Sequence, residues 1–180
     1  MKRIISLTFM FILLCLSGSI AAQQIMMRVE GSKQGVFKGE STSNMFKDFI
    51  PLNGFTYDLS QAGASFGTGA AVGRRIKSPL ILEKNAGTSS VQFFDALNNN
   101  EVITKVTITV YKADAMGSGI TIKDFTIELT NVTLGSFKQA IGKTSTNSPG
   151  EGNTLQDEIK LNYQGITITH EKSGMSAIQN

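Results

Sequence analysis

Apolar residues alternate with polar ones over most of this chain, which is the pattern of β-strands with one buried face. The pattern predicts a first strand at 24–30 and longer strands at 103–113, 120–134 and 158–170. Seven or eight short strands and one helix indicate a mainly β fold. We expect a compact β-barrel or sandwich of two antiparallel sheets, with one flanking α-helix at about residues 89–99.

Two of the long strands change the parity of their alternation partway along. The change falls at Asn131 in one strand and at Gln164-Gly165 in the other. Because side chains alternate with period two, each change predicts a bulge or corner that turns the later residues back toward the core. The residues expected to face the core in the three long strands are Val106, Ile108, Val110, Phe125, Ile127, Leu129, Val132, Leu134, Ile159, Leu161, Tyr163, Ile166 and Ile168.

The stretch 50–73 joins a strand pattern to a segment of very different composition. In its first half, Phe55, Tyr57 and Leu59 alternate with polar residues, which predicts a strand with one buried face. Its second half, 62–73, is a Gly-rich and Ala-rich arm with almost nothing to bury. A well-specified strand that leads into such an arm suggests a domain that contacts something outside its own core.

Local turn chemistry leaves the course of this strand open. Asn53-Gly54 is a favoured pair for a tight hairpin turn, so either a hairpin forms there or one strand runs over 50–60 with a bulge. Further on, Pro79 interrupts the pattern at 74–84. Because proline lacks the N–H that a ladder needs, this segment is predicted to be an edge or bulged strand.

Residues 88–100 carry the one convincing helix pattern. Ser89 followed three residues later by Gln92 matches a capping box, in which the hydroxyl accepts from a free N–H and the amide reaches back. The asparagines at 98–100 tolerate the left-handed conformation that ends helices. The expected buried face consists of Val91, Phe94 and Leu97, widened by Phe93 and Ala96.

The first 22 residues have the organisation of a secretory signal peptide. A basic pair precedes an apolar run at 4–16, and small residues follow that run. Cleavage fits after Ala22 or after Ala21. The apolar run is shorter than the roughly 20 residues that span a bilayer, so cleavage is favoured over a membrane anchor. We therefore expect the mature protein in the periplasm or outside the cell.

The only cysteine of the chain, Cys15, lies inside this segment, so the mature protein has none. Disulfides, thiolate catalysis and cysteine metal sites are excluded together. Lipidation of Cys15 is disfavoured, because a lipoprotein signal has a small residue where this chain has Leu14.

Loss of Lys2 and Arg3 with the signal leaves 15 basic against 14 acidic residues in a mature chain of 158. This balance provides no basic stripe for nucleic acid or for an anionic membrane surface. The length suits a single core. We expect one domain at 23–170, followed by a polar, frayed tail at 171–180.

Candidate catalytic and metal-binding residues are few. His170, the only histidine, sits at a predicted strand end, and no G-x-S-x-G nucleophile motif occurs in the sequence. Zinc needs several His or Cys ligands, and Asp157-Glu158 is typical of a solvated strand edge and not of a calcium loop. The glycines at 35–39 and 142–144 lack the strand and helix that a phosphate loop requires. We expect no catalytic residue, no metal and no cofactor.

Threonines dominate the predicted outward faces of the long strands. The plain interpretation is solvent exposure on an antiparallel sheet, and the functional one is a hydrated surface that does not adsorb partners strongly. The residues expected to face outward include Tyr111 and the threonines Thr107, Thr109, Thr126, Thr130, Thr167 and Thr169.

The order of these segments resembles the Hcp family, which forms the tube of bacterial type VI secretion systems. A strand ending in G-E-S at 39–41 precedes I-P-L-N-G-F-T-Y-D-L-S-Q at 50–61 and the Gly-rich arm. The helix, the two strands after it, and the closing I-K-L-N-Y-Q-G-I-T-I-T-H at 159–170 are also similar to that family. The resemblance covers about 25–170.

This resemblance implies a non-enzymatic structural protein that forms hexameric rings, which stack into a hollow tube. It implies that sheet edges are subunit interfaces, that the arm reaches a neighbouring subunit or ring, and that threonine-rich faces line the lumen. Effector or spike proteins are the other partners it implies. The candidate ring-interface residues are Ser60, Gln61, Phe66, Gly67, Arg74 and Arg75.

A signal peptide departs from the pattern of that family and motivates a second hypothesis. Under it, the protein is an exported β-sandwich module that binds a surface glycan or a protein partner and is unrelated to a contractile machine. A third hypothesis, a hydrolase that uses His170, has little support because the sequence lacks a nucleophile motif.

Overall fold

The computed structural model describes residues 23–62, 74–114, 121–142 and 154–179. The predicted signal segment, most of the arm, the turn at 115–120 and the loop at 143–153 lie outside the described residues. In the described ranges the helix α1 covers Thr88–Asn98. The strands are β1 (Gln24–Gly31), β2 (Gly35–Val36), β3 (Ile50–Leu52), β4 (Gly54–Thr56), β5 (Leu59–Ala62), β6 (Arg74–Lys77), β7 (Leu80–Asn85), β8 (Ile103–Ala113), β9 (Thr121–Gly142), β10 (Thr154–His170) and β11 (Met175–Gln179).

Nine of these strands form one antiparallel sheet, and the other two form a small antiparallel ribbon. The large sheet has the order β2-β1-β8-β9-β10-β7-β4, with β3 also paired to β1 and β11 also paired to β10. The ribbon consists of β5 and β6. The prediction of two antiparallel sheets with one helix is confirmed, although the strands of the described ranges do not close into a barrel.

The core lies on the inner face of the large sheet, and Phe93 and Ala96 of α1 pack into it. Full burial of one aliphatic or aromatic side chain contributes about 1.5–3 kcal/mol, so this cluster is the main source of stability. Its members include Met27, Val29, Phe37, Ile50, Leu80, Leu82, Phe93, Ile103, Val106, Ile108, Ile127, Leu129, Val132, Ile159 and Leu161.

The chain around Asn53 forms neither of the two predicted arrangements. β3 pairs with β1 and β4 pairs with β7, so the chain changes strand partner at Asn53. The Asn53 N–H donates to the Glu83 carbonyl oxygen at 2.8 Å, and its Nδ2 donates to Asn85 Oδ1 at 2.9 Å. These contacts with β7 hold Asn53 in a bend between β3 and β4, and not in the tight hairpin turn that local preference alone favours.

Pro79 separates β6 from β7, in agreement with the interruption predicted from its missing N–H. β7 is not an edge strand, however, because it pairs with β10 on one side and with β4 on the other. The proline precedes the first paired residue, Leu80, and so removes no ladder hydrogen bond.

Helix α1 begins through a distant carboxylate and not through the predicted capping box. Gly87 occupies the N-cap position, and the N–H and hydroxyl of Ser89 both donate to Glu40 Oε1, at 2.9 and 2.7 Å. A carboxylate there satisfies free N–H groups and complements the positive end of the helix dipole. Gln92 does not reach back along the helix, and its Oε1 accepts from the Lys38 N–H at 2.8 Å.

The buried face of α1 is rotated from the predicted one. Phe93 and Ala96 are buried as expected, but Val91 and Phe94 are 70% and 60% exposed. The two serines of the first turn take the buried positions, because their hydroxyls bond to carboxylates beneath the helix. This polar anchoring turns Val91 and Phe94 toward the outside.

A buried ionic cluster lies under the start of α1. Lys84 Nζ lies 3.2 Å from Asp157 Oδ2 and 3.3 Å from Glu40 Oε1, and the Lys84 and Asp157 side chains are fully buried. Ser90 donates to Asp157 Oδ2, and Gln139 Nε2 donates to Asp157 Oδ1 at 2.8 Å. The prediction of a solvated edge at Asp157 is wrong, because β10 lies between β9 and β7 there.

A second buried carboxylate, that of Glu101, stabilises the turn that follows β1 through hydrogen bonds. Its Oε1 accepts the N–H groups of Lys33 and Gln34 at 2.6 and 2.9 Å. Burial opposes ionisation, but these hydrogen bonds outweigh it and hold the pKa of Glu101 below its ordinary value. No sequence pattern marked this residue, because its partners, two backbone N–H groups and the Gln34 side-chain amide, are about 67 positions away.

Both predicted parity changes in the long strands are confirmed, and they occur at the same cross-strand pair. Asn131 has a φ of 49°, and its Nδ2 donates to Gln164 Oε1 at 3.2 Å. In both strands the buried positions change parity at this pair, so the register between the strands is continuous there. The irregularity in their pairing lies instead between Lys160 and Leu161, so the predicted bulge at Gln164-Gly165 is wrong.

Two positions near one end of the β8–β9 pair differ from the predicted alternation. The register of β8 against β9 shifts between Val110 and Tyr111. Tyr111 is buried, with its ring 4.7 Å from that of Phe46. In β9, Asp124 is buried and Phe125 is 40% exposed. The extra residue of this bulge is Asp124 on β9, so the alternation of β8 is unchanged and Tyr111 is buried by its contact with Phe46.

The segment after His170 is ordered up to Gln179, so the predicted frayed tail is wrong over this range. A turn with Gly174 at a φ of +65° leads into β11, which pairs with residues 166–170 of β10. The polar composition of this segment hid the strand, because β11 is held by backbone hydrogen bonds and buries little side-chain surface.

Candidate functional site

The ribbon of β5 and β6 is the base of the predicted arm. Ser60 lies opposite Ile76 and Gln61 opposite Arg75, and in the described residues neither strand pairs with the large sheet. The ribbon thus brings together four of the six predicted interface residues, Ser60, Gln61, Arg74 and Arg75. The other two, Phe66 and Gly67, lie outside the described residues. Because a two-stranded ribbon alone is marginally stable in water, this one is suited to pairing with a neighbour.

One hydrogen bond closes the base of the ribbon, and another joins the ribbon to the large sheet. The Ser78 N–H donates to the Asp58 carbonyl oxygen at 3.2 Å, which closes the ladder at the base of the ribbon. Lys77 Nζ donates to the Gln164 carbonyl oxygen at 3.1 Å, at the point where β10 turns over. The Lys77 hydrogen bond therefore links the base of the ribbon to β10.

An apolar groove of about 200 Å³ opens between the start of the ribbon and the end of β10. Tyr57 and Leu59, predicted to be buried, are 39% and 51% exposed at its wall. Burial and the nearby Tyr57 raise the pKa of the Tyr163 hydroxyl, so this tyrosine stays neutral. We call this surface the groove; it is lined by Tyr57, Leu59, Tyr163, Ile166, Ile168, Ala177, Ile178 and Gln179.

A second apolar surface lies at the other end of β10. Val91 and Phe94 are one helical turn apart on the outside of α1, and the Phe94 ring lies 6.3 Å from that of Phe137. Further along β9 and β10, past the polar pair Gln139 and Asp157, Ile141 and Leu155 form an exposed cross-strand pair. We call Val91, Phe94, Ile141 and Leu155 the helix surface.

His170 has a structural place at the turn between β10 and β11. Its Nδ1 lies 2.7 Å from Ser173 Oγ, its Nε2 lies 3.8 Å from Asp124 Oδ1, and its ring lies against Phe125. Ser173 Oγ also accepts the Met175 N–H at 3.3 Å, so this hydroxyl closes the turn. The contacts of His170 thus join the C-terminal hairpin to the bulge in β9.

Two other kinds of site are absent from the part of the chain that the structure describes. Among residues 23–62, 74–114, 121–142 and 154–179, no three His, Cys, Asp or Glu side chains come together as metal ligands do. In the same part of the chain, no helix has the length and hydropathy required to cross a membrane.

The threonine-rich surface lies on the outside of the sheet with one exception. Thr107, Thr126 and Thr130 are at least partly exposed, and an exposed ion pair joins Lys105 Nζ to Glu128 Oε1 at 2.7 Å on the same strands. Thr109 is only 4% exposed, so the prediction for that residue is wrong. This face is polar, and Lys105 and Glu128 form an ion pair on it.

Comparison with known proteins gives a family match over most of the chain. Residues 26–170 match the family described as "Type VI secretion system effector, Hcp". A curated relative, "Major exported protein" of Pseudomonas aeruginosa, is 26% identical over 160 residues, which cover 83% of this chain and 90% of that protein.

Solved structures show the same fold. One described as "Crystal structure of Hcp protein" has a TM-score of 0.77 at 18% identity and covers 88% of this chain and 98% of its own. "Secreted protein Hcp3 from Pseudomonas aeruginosa" has a TM-score of 0.69 at 23% identity, with the same two coverages. At these identities the structural likeness establishes the fold alone.

Proposed function

This chain belongs to the Hcp family of type VI secretion systems, and on that premise we propose that it is a non-enzymatic tube subunit whose copies form hexameric rings that stack into a hollow tube. The family match at 26–170 includes the sheet, the helix and the base of the arm. A binding module unrelated to a contractile machine is the weaker alternative, because that match covers nearly the whole described domain.

One structural observation carries this proposal: the ribbon of β5 and β6 has no sheet partner among the described strands. Such a ribbon needs a third strand or a packing surface to be stable. Its exposed Leu59 and Ile76 side chains add apolar area that a second copy would cover. An oligomer thereby also removes exposed strand edges as aggregation sites.

The threonine-rich face suits the lumen of such a tube. Hydroxyl groups keep the surface polar, and the pairing of Lys105 with Glu128 limits the charge that would hold a passing protein. Effector or spike proteins are the partners that this surface would meet. Hydrogen bonds with bridging water would keep these contacts weak and reversible.

Protein purified from residue 23 onward, which contains the whole described fold, should elute as a particle of about six times the monomer mass. Light scattering coupled to size-exclusion chromatography measures that mass directly. A purely monomeric protein at high concentration would contradict the ring proposal, whereas binding to a glycan array by such a monomer would favour the module.

We also propose that residues 1–22 are a signal peptide, so that the mature protein is periplasmic or extracellular. When the full chain is expressed, intact-mass measurement of these fractions should show a species that begins after Ala22 or Ala21. An apolar segment flanked by Lys2 and by small residues supports this cleavage. Recovery of only full-length protein, in the cytosol, would refute it.

A further inference from the structure

The helix surface and the groove are both apolar and exposed, and they lie at opposite ends of one strand. Leu155, in the helix surface, is near the start of β10, and Ile166 and Ile168, in the groove, are near its end. Phe94 lies beside Phe137, which pairs with Ile159 of β10, and Ile178 pairs with Thr167 further along the same strand. At about 3.3 Å per residue, the centres of the two surfaces are separated along β10 by a distance on the order of 25 Å. One copy can therefore offer each surface to a different neighbour.

The two surfaces also complement each other in shape and chemistry. Val91 and Phe94 project from a helix and are 70% and 60% exposed, whereas the groove is a cavity of about 200 Å³ with an apolar lining. Asp95, exposed beside Phe94, and Lys77, at the rim of the groove, carry opposite charges. A projecting aromatic residue that fills an apolar pocket is the usual centre of a stable protein interface.

A ring of more than two identical subunits requires two different surfaces on each subunit, because its contacts run head to tail. We propose that the helix surface of one copy packs into the groove of the next copy, with Phe94 near Ile178. This inference rests on the proposed ring and specifies which surfaces form its contact. The partner is thus a second copy of this chain.

Cross-linking tests this contact directly, because the chain from residue 23 onward has no native cysteine. A Phe94→Cys/Ile178→Cys double variant, treated with a short bifunctional maleimide, should give a ladder of covalent multimers beyond the dimer on a denaturing gel. Each single variant should give little beyond monomer, because a head-to-tail contact does not bring a residue close to its own copy.

A matched control is Val36→Cys/Ile178→Cys, since Val36 is 45% exposed but belongs to neither surface. This control should remain monomeric on the gel. Equal ladders from both double variants, or no ladder from a protein that light scattering shows to be a ring, would overturn the proposed contact and leave the ring intact. Monomers by light scattering would overturn the ring itself.

Discussion

Replacing Lys84 with methionine should lower the free energy of unfolding by about 3–5 kcal/mol, the cost of removing one partner from a buried ion pair. Lys84 Nζ lies between two carboxylates, 3.2 Å from Asp157 and 3.3 Å from Glu40. Without the ammonium group, two negative charges would remain close together beneath α1. Urea denaturation followed by circular dichroism measures this loss.

Two further variants serve as a control and a rescue for the Lys84 prediction. Lys105→Met removes an exposed ion pair with Glu128, so it should cost at most about 1 kcal/mol. Adding Asp157→Asn to Lys84→Met removes one of the stranded charges, so the double variant should be more stable than Lys84→Met alone. Equal costs for Lys84→Met and Lys105→Met would show that the buried cluster is not a source of stability.

Replacing Gly39 with alanine should lower the free energy of unfolding by about 3 kcal/mol, near the upper end of the usual range for overpacking. An added methyl group would lie 2.0 Å from the Phe49 carbonyl oxygen and 2.6 Å from the Ile50 nitrogen. Because both are backbone atoms, no side-chain rotation relieves the clash. Movement of this segment would also withdraw Glu40 from the start of α1.

Gly54→Ala is the matched control for Gly39→Ala. A methyl group at Gly54 meets only Glu83 Oε2, at the ordinary contact distance of 3.9 Å. We expect the free energy of unfolding of this variant to lie within about 0.5 kcal/mol of that of the parent protein. Thermal denaturation of the parent and the two variants checks both expectations. If Gly39→Ala were as stable as the parent, the backbone of residues 39–49 would have to move without cost, which would contradict the prediction.

The elements of the sheet could be predicted because their pattern is local. Alternation of period two gave β1, β8, β9 and β10, and the parity changes at Asn131 and Gln164 were visible as shifted apolar positions. Where the neighbours of a residue decide its conformation, local rules were insufficient. Asn53 forms a bend between two strands, because β7 supplies its hydrogen bonds, although the pair Asn53-Gly54 favours a hairpin turn.

The helix shows why the candidate contact surfaces were harder to predict. Helical spacing alone cannot tell whether Phe93 or Phe94 is buried. The hydrogen bond from Ser90 to the buried Asp157 sets the rotation of the helix, and this rotation buries Phe93 and exposes Phe94. Glu40 caps the helix from 49 positions away in the sequence, so no local signal revealed it. β11 was missed because it is held by its backbone, and without it the groove could not be foreseen.

Electron microscopy of the protein from residue 23 onward, in negative stain, tests the central claim of a ring-forming tube subunit most directly. End-on views should show hollow rings with six-fold symmetry, and higher concentrations should add stacked rings seen from the side. Single particles of monomer size, with no rings at any concentration, would contradict it.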